Sequence, residues 1–215
     1  YERRAFGALF VSRDHGLAWE KIFDGEGFSE MVTHPSLPGL LCAASRTRGI
    51  LRSEDGGATW QEIAQGLPGI GHLTLCTSPH RQDTLFTGAN VRPHMTDQPL
   101  VAIYRSDDFG LSWRLPSSSQ HLRDYPGHLS ESHCGWAIAK VRCDIADPNR
   151  LFYSNWYGVF RSDDAGASWS GHGFNGMETT CIECAVSDPA TGRFWICATD
   201  HPPYFAPAKE GAFHA

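Results

Sequence analysis

The octapeptide S-x-D-x-G-x-x-W occurs four times in the chain, at residues 12–19, 53–60, 106–113 and 162–169. Each copy follows a short apolar run: Leu9-Phe10-Val11, Gly49-Ile50-Leu51-Arg52, Ile103-Tyr104-Arg105 and Gly158-Val159-Phe160-Arg161. The glycine suits a tight turn that needs positive φ, and the Ser and Asp oxygens can accept hydrogen bonds from the free N–H groups of the turn. The Trp then opens the next strand and offers a large apolar face to a neighbouring sheet. One such octapeptide is weak evidence. Four in register, at a spacing of roughly 40 to 56 residues, mark an array of repeated four-stranded units.

The half of the unit that precedes each octapeptide repeats as well. Val32-Thr33-His34-Pro35 aligns with Cys76-Thr77-Ser78-Pro79, with Cys143-Asp144-Ile145-Ala146-Asp147-Pro148 and with Cys184-Ala185-Val186-Ser187-Asp188-Pro189. Each reads as strand, Pro-containing turn, strand. The predicted fold is therefore all-β: a β-propeller of four-stranded antiparallel blades whose third and fourth strands are joined by the octapeptide. Residues 1–215 begin just before the third strand of one unit and end after the second strand of another. They supply three complete blades and two partial ones. A closed propeller of six or seven blades needs about 270 residues or more, so the chain reads as an incomplete propeller, a fragment of a longer parent.

This alignment sets Cys76, Cys143 and Cys184 at matching positions, where a small buried packing residue recurs. The chain has seven Cys, and Cys181 and Cys184 form a C-x-x-C without a second pair at ligand spacing. The expectation is structural thiols, with a disulfide or a reactive Cys as the alternatives, and no metal and no cofactor. A formal net charge of -6 with no basic block argues against a nucleic-acid partner. No apolar run reaches the roughly 18 to 20 residues that span a bilayer.

Alternating turns place the octapeptides and the short Pro-containing turns on one face of the blades, so their carboxylates are expected to hold turns. A site then belongs on the opposite face, among the 2–3 loops and the blade-to-blade connections, read here as residues 20–30, 62–72, 114–135 and 170–180. Carboxylates there lie among the rings of Trp136, Trp156 and Tyr157. Aromatic faces stack on the apolar faces of sugars, and carboxylates bind hydroxyls or do acid–base work. The partner expected from this pattern is an oligo- or polysaccharide.

Taken together the repeats resemble the BNR or Asp-box superfamily, which includes sialidases, xyloglucan-active glycoside hydrolase family 74, sortilin-type receptors and photosystem assembly factors. The stretch Gly135-Trp136-Ala137-Ile138-Ala139, then Asp147-Pro148-Asn149-Arg150-Leu151-Phe152-Tyr153, then Gly158-Val159-Phe160-Arg161-Ser162 is similar to the mid-chain blades of family 74. Asn175-Gly176-Met177-Glu178-Thr179-Thr180 is similar to that family's G-L-E-E-T segment, and Thr199-Asp200 stands where the family has a Gly-Asp. The resemblance implies Asp200 as general acid and Glu178 as a nearby supporting carboxylate, in an inverting hydrolysis of a β-glucan or xyloglucan. It also implies an extracellular or periplasmic protein.

The departures are Thr199 for the Gly, Thr179 for the second Glu, and the lack of the T-D-x-G-G segment that carries the family's base. The R-I-P motif of sialidases is absent too, which ranks an exo-sialidase below a xyloglucanase. A non-catalytic propeller that binds a protein or peptide is the alternative from another class.

Overall fold

The computed structural model describes residues 7–24, 27–45, 48–63, 65–67, 72–90, 101–116, 140–155, 158–169, 181–188, 190–191 and 193–199. Every regular element among them is a strand, and the strands form five antiparallel sheets in chain order. The first pairs β1 (Ala8–Val11) with β2 (Glu20–Asp24). The second is a four-stranded meander of β3 (Phe28–Thr33), β4 (Leu41–Ser45), β5 (Gly49–Ser53) and β6 (Gln61–Ile63). The third holds β7 (His72–Thr77), β8 (Leu85–Asn90) and β9 (Val101–Ser106), with a single bridge from Arg105 to Arg114 where a fourth strand would begin. The fourth holds β10 (Lys140–Cys143), β11 (Leu151–Asn155) and β12 (Gly158–Ser162), and the fifth pairs β13 (Cys181–Ser187) with β14 (Phe194–Thr199).

The sheets stack side by side through their first strands, with β3 beside β7, β7 beside β10 and β10 beside β13. Burial follows from that stacking. A strand covered on both faces has no reason to alternate, and β4 is buried along nearly its whole length. Strands with one open face alternate, as β1 and β3 do. Cys42, Ala44, Ile50, Leu75, Leu85, Tyr104, Phe109 and Trp113 fill the seam between the second and third sheets. Cys76, Phe86, Ile103, Val141, Leu151, Tyr153 and Phe160 fill the next. Each fully buried aliphatic or aromatic side chain here contributes about 1.5 to 3 kcal/mol, so the seams hold the sheets together.

Two sequence expectations change. Of the residues read as connections, 20–24 and 62–63 lie in strands β2 and β6, and 28–30 and 72 lie in β3 and β7. Strands β2 and β6 are outer strands facing solvent, so Glu20-Lys21 and Gln61-Glu62 lack the apolar run that marks a buried strand. The cysteines also fall out of register. The turns after the first strands close through His34 N–H to the Leu40 carbonyl, Ser78 N–H to Thr84, Asp144 N–H to Arg150 and Asp188 N–H to Arg193. With these as anchors, Cys76 lies two residues before its turn, Cys143 one and Cys184 four. They are not equivalent positions.

Candidate functional site

The octapeptide turns can be built from their side chains. In the third sheet, the Ser106 hydroxyl donates to Asp108 Oδ1 at 2.7 Å and accepts the Gly110 N–H at 2.8 Å. Asp108 Oδ1 also accepts the Ser112 N–H at 2.9 Å. The same Ser–Asp pair recurs at 2.7 Å for Ser12 and Asp14, and at 2.8 Å for Ser53 and Asp55 and for Ser162 and Asp164. The residue before the glycine and the glycine itself both take positive φ, as at Phe109 (49°) and Gly110 (86°).

The carboxylates are consumed by these bonds. The Thr59 hydroxyl, the Thr59 N–H and the Ser53 hydroxyl together hold Asp55 down to a pKa of about 2. Asp14 is lowered chiefly by the Ala18 N–H and the Ser12 hydroxyl. For Asp108 and Asp164, burial pushes the carboxyl up, but the Ser112 and Ser168 donors outweigh it and both are lowered. Groups held this firmly as acceptors are poor proton donors near neutral pH.

The turns also seat each sheet on the one before it. The Phe109 ring meets the His34 imidazole edge-on at 4.7 Å, and its carbonyl accepts the Cys42 thiol at 3.4 Å and Arg52 Nε at 3.2 Å. His34 Nδ1 accepts the Ser36 and Leu37 N–H groups at 3.1 and 3.0 Å, so its Nε2–H donates to Asp83 at 3.0 Å. The N–H groups of Gly56, Phe109 and Ala165 bond to the carbonyls of Gly39, Asp83 and Asn149. Both kinds of turn therefore share one edge of each sheet.

The other edge carries the ends of the second strands and the starts of the third. Asn155 pairs with Gly158 there, Ser45 with Gly49, and Thr199 with Cys181. Asp200, Glu178, Trp156, Tyr157 and Trp136 lie outside the described residues. Of the strand ends next to them in sequence, Asn155, Gly158 and Thr199 are on this second edge.

The described residues add one polar cluster near that edge. Glu30, third residue of β3, binds three sheets together. Its Oε2 accepts the Thr74 hydroxyl at 2.9 Å and the Leu75 N–H at 2.7 Å, and its Oε1 pairs with Arg142 at 2.8 Å. Thr74 Oγ1 in turn accepts the Val141 N–H at 3.2 Å. With both oxygens occupied and the charge neutralised, this carboxylate is a tie between first strands rather than an acid or base. It borders an open groove of about 440 Å³ lined by Gly7, Ala8, Leu9, Gly27, Phe28, Ser29 and Met31. The Phe28 ring beside it packs on Trp60 at 5.0 Å. Sequence reading missed Glu30 and Arg142 because nothing local marks them; the partners that tie them to other sheets lie 44 or more residues away. Among the described residues no group of three or more metal-ligating side chains converges, and no helix is long and apolar enough to cross a membrane.

No protein-family model matches the chain, and no curated protein matches it. Solved structures do. The chain is similar to the GH74 xyloglucanase from Xanthomonas campestris, with a TM-score of 0.57 and 20% identity over 79% of this chain and 26% of that one. An ancestral GH74 enzyme gives a TM-score of 0.56 with 13% identity, over 87% of this chain and 24% of that one. The Niastella koreensis GH74 enzyme gives 0.54 with 16% identity, over 80% and 26%. The chain thus spans about a quarter of the length of each of these three structures. At these identities the likeness speaks to fold alone, and with the stacked antiparallel sheets it makes the chain an all-β propeller built of antiparallel blades.

Proposed function

We propose that the chain is part of a carbohydrate-active propeller, a glycoside hydrolase that cleaves a β-glucan or xyloglucan with inversion. Asp200 protonates the leaving-group oxygen, Glu178 supports it, and Trp156, Tyr157 and Trp136 offer rings to the sugars. The repeated turns are Asp boxes in this reading, and the protein works outside the cytoplasm. The observation that carries it is the division of labour between the two sheet edges. The conspicuous carboxylates of one edge are spent on turns. The strand ends that neighbour Asp200, Trp156 and Tyr157 in sequence lie on the other. The resemblance of the 135–200 stretch to family 74 supports the substrate class. The test is hydrolysis of xyloglucan by the protein that contains this chain. Asp200→Asn is expected to cut kcat by about 10² to 10⁴-fold, the usual share of a general acid.

Thr199 in place of the family's Gly favours a second reading, in which the same edge binds a peptide or protein without catalysis. A protein that hydrolyses no glycan but retains peptides from a library would support that reading against the first.

A further inference from the structure

We infer that Cys76 and Cys143 form a redox-closable pair that can join two neighbouring blades covalently. The two Sγ atoms lie 3.2 Å apart, one on β7 and the other on β10, although the residues are 67 positions apart in sequence. They meet because the first strands of adjacent sheets are offset by one residue. The same offset sets Val141 N–H on Thr74 Oγ1 at 3.2 Å, and the Glu30–Arg142 ion pair fixes the strand immediately before Cys143. The spacing of these backbones is therefore held independently of the thiols, and the two sulfurs need only close from 3.2 Å to about 2.05 Å to bond.

Access is uneven. Cys76 is buried, whereas Cys143 is partly exposed. Contact with Cys143 and burial both hold the Cys76 thiol well above its ordinary range, so the outer cysteine reacts first. The Cys143 thiolate attacks a small-molecule disulfide, such as oxidised glutathione, forming a mixed disulfide and releasing one reduced thiol. Cys76, after losing its proton to solvent, then attacks Cys143 Sγ and expels the second thiol. Two electrons pass to the small disulfide, and two thiols leave as one protein disulfide forms. The bond would close a long loop and clamp the seam between the third and fourth sheets.

Peptide mapping tests this directly, because trypsin leaves Cys76 alone in peptide 53–81 and Cys143 alone in peptide 143–150. The folded protein is incubated with oxidised glutathione, its remaining thiols are blocked, and it is digested without reductant. The expected result is a linked pair of these two peptides that a reductant separates. It should be accompanied by a rise in Tm of roughly 5 to 15 °C that Cys143→Ser abolishes. Recovery of both peptides singly, each blocked or capped with glutathione, would overturn the inference. So would the same oxidant-dependent Tm rise in Cys143→Ser. The mapping needs no variant, so it decides the matter even if the substitution impairs folding.

Discussion

At the scale of single residues, the octapeptide glycine does two jobs that a sequence pattern shows only in part. Gly110 has φ of 86°, and a Cβ there would lie 2.8 Å from the Cys42 sulfur of the preceding sheet. Gly110→Ala combines a left-handed backbone penalty with a steric one, and a loss of about 2 to 4 kcal/mol is expected in urea unfolding. Gly56 also has positive φ, at 76°, but a Cβ there meets nothing within 4 Å. Its counterparts are His15, Phe109 and Ala165, all with positive φ, so Gly56→Ala should cost only about 1 kcal/mol. The need for glycine at the fifth position was legible from the motif. The strained φ at the fourth was not, because a Phe at that place gives no hint of it. Phe109 tolerates the strain because burial against His34 over-determines its position.

The acid response belongs to the same scale. Asp55 titrates at about 2 in the folded protein, below the ordinary value near 3.9 of an unfolded chain. Its contribution is therefore complete above about pH 4 and is lost as pH falls towards 2, since the unfolded state binds the proton first. Unfolding free energy measured across that window should fall less steeply for Asp55→Asn than for the unaltered protein.

Among elements, the inner strands and their turns were readable because short apolar runs, Pro-containing turns and the octapeptide all leave local marks, whereas the solvent-facing outer strands β2 and β6 were not. Nor were the ties between sheets. Glu30, Thr74 and Arg142 come from three sheets and meet only after stacking. Cys76 and Cys143 seemed alike by alignment, yet they meet because their registers differ by one. Solvent reaches the Glu30–Arg142 pair, whose side chains are 20% and 26% exposed, so its worth is below that of a fully buried pair. Glu30→Gln is expected to cost about 1 to 2 kcal/mol, and a double-mutant cycle with Arg142→Gln should return a favourable coupling of about 1 kcal/mol. Coupling near zero would mean that the ion pair adds nothing to the packing and to the Glu30–Thr74, Glu30–Leu75 and Thr74–Val141 hydrogen bonds that also join the first strands.

For the whole molecule, the sheets form a series in which each octapeptide turn packs on the sheet before it. That explains an uneven set of tryptophans: Trp113 is 5% exposed inside a seam, while Trp19 is 65% exposed on the first described sheet. The propeller fold was legible from four repeats, since repetition makes weak local signals add. The proposed site rests only on family resemblance, because Asp200, Glu178, Trp156, Tyr157 and Trp136 belong to sequence segments that obey no repeat. The four octapeptide aspartates hold turns, as expected from the sequence. The most direct measurement is xyloglucan hydrolysis by the protein containing this chain, compared for Asp200→Asn and Asp108→Asn under conditions where both stay folded. Asp200→Asn is expected to lose about 10² to 10⁴-fold in kcat, while Asp108→Asn keeps kcat and loses only stability. Unchanged turnover in Asp200→Asn, or loss of turnover in folded Asp108→Asn, would contradict this division of roles.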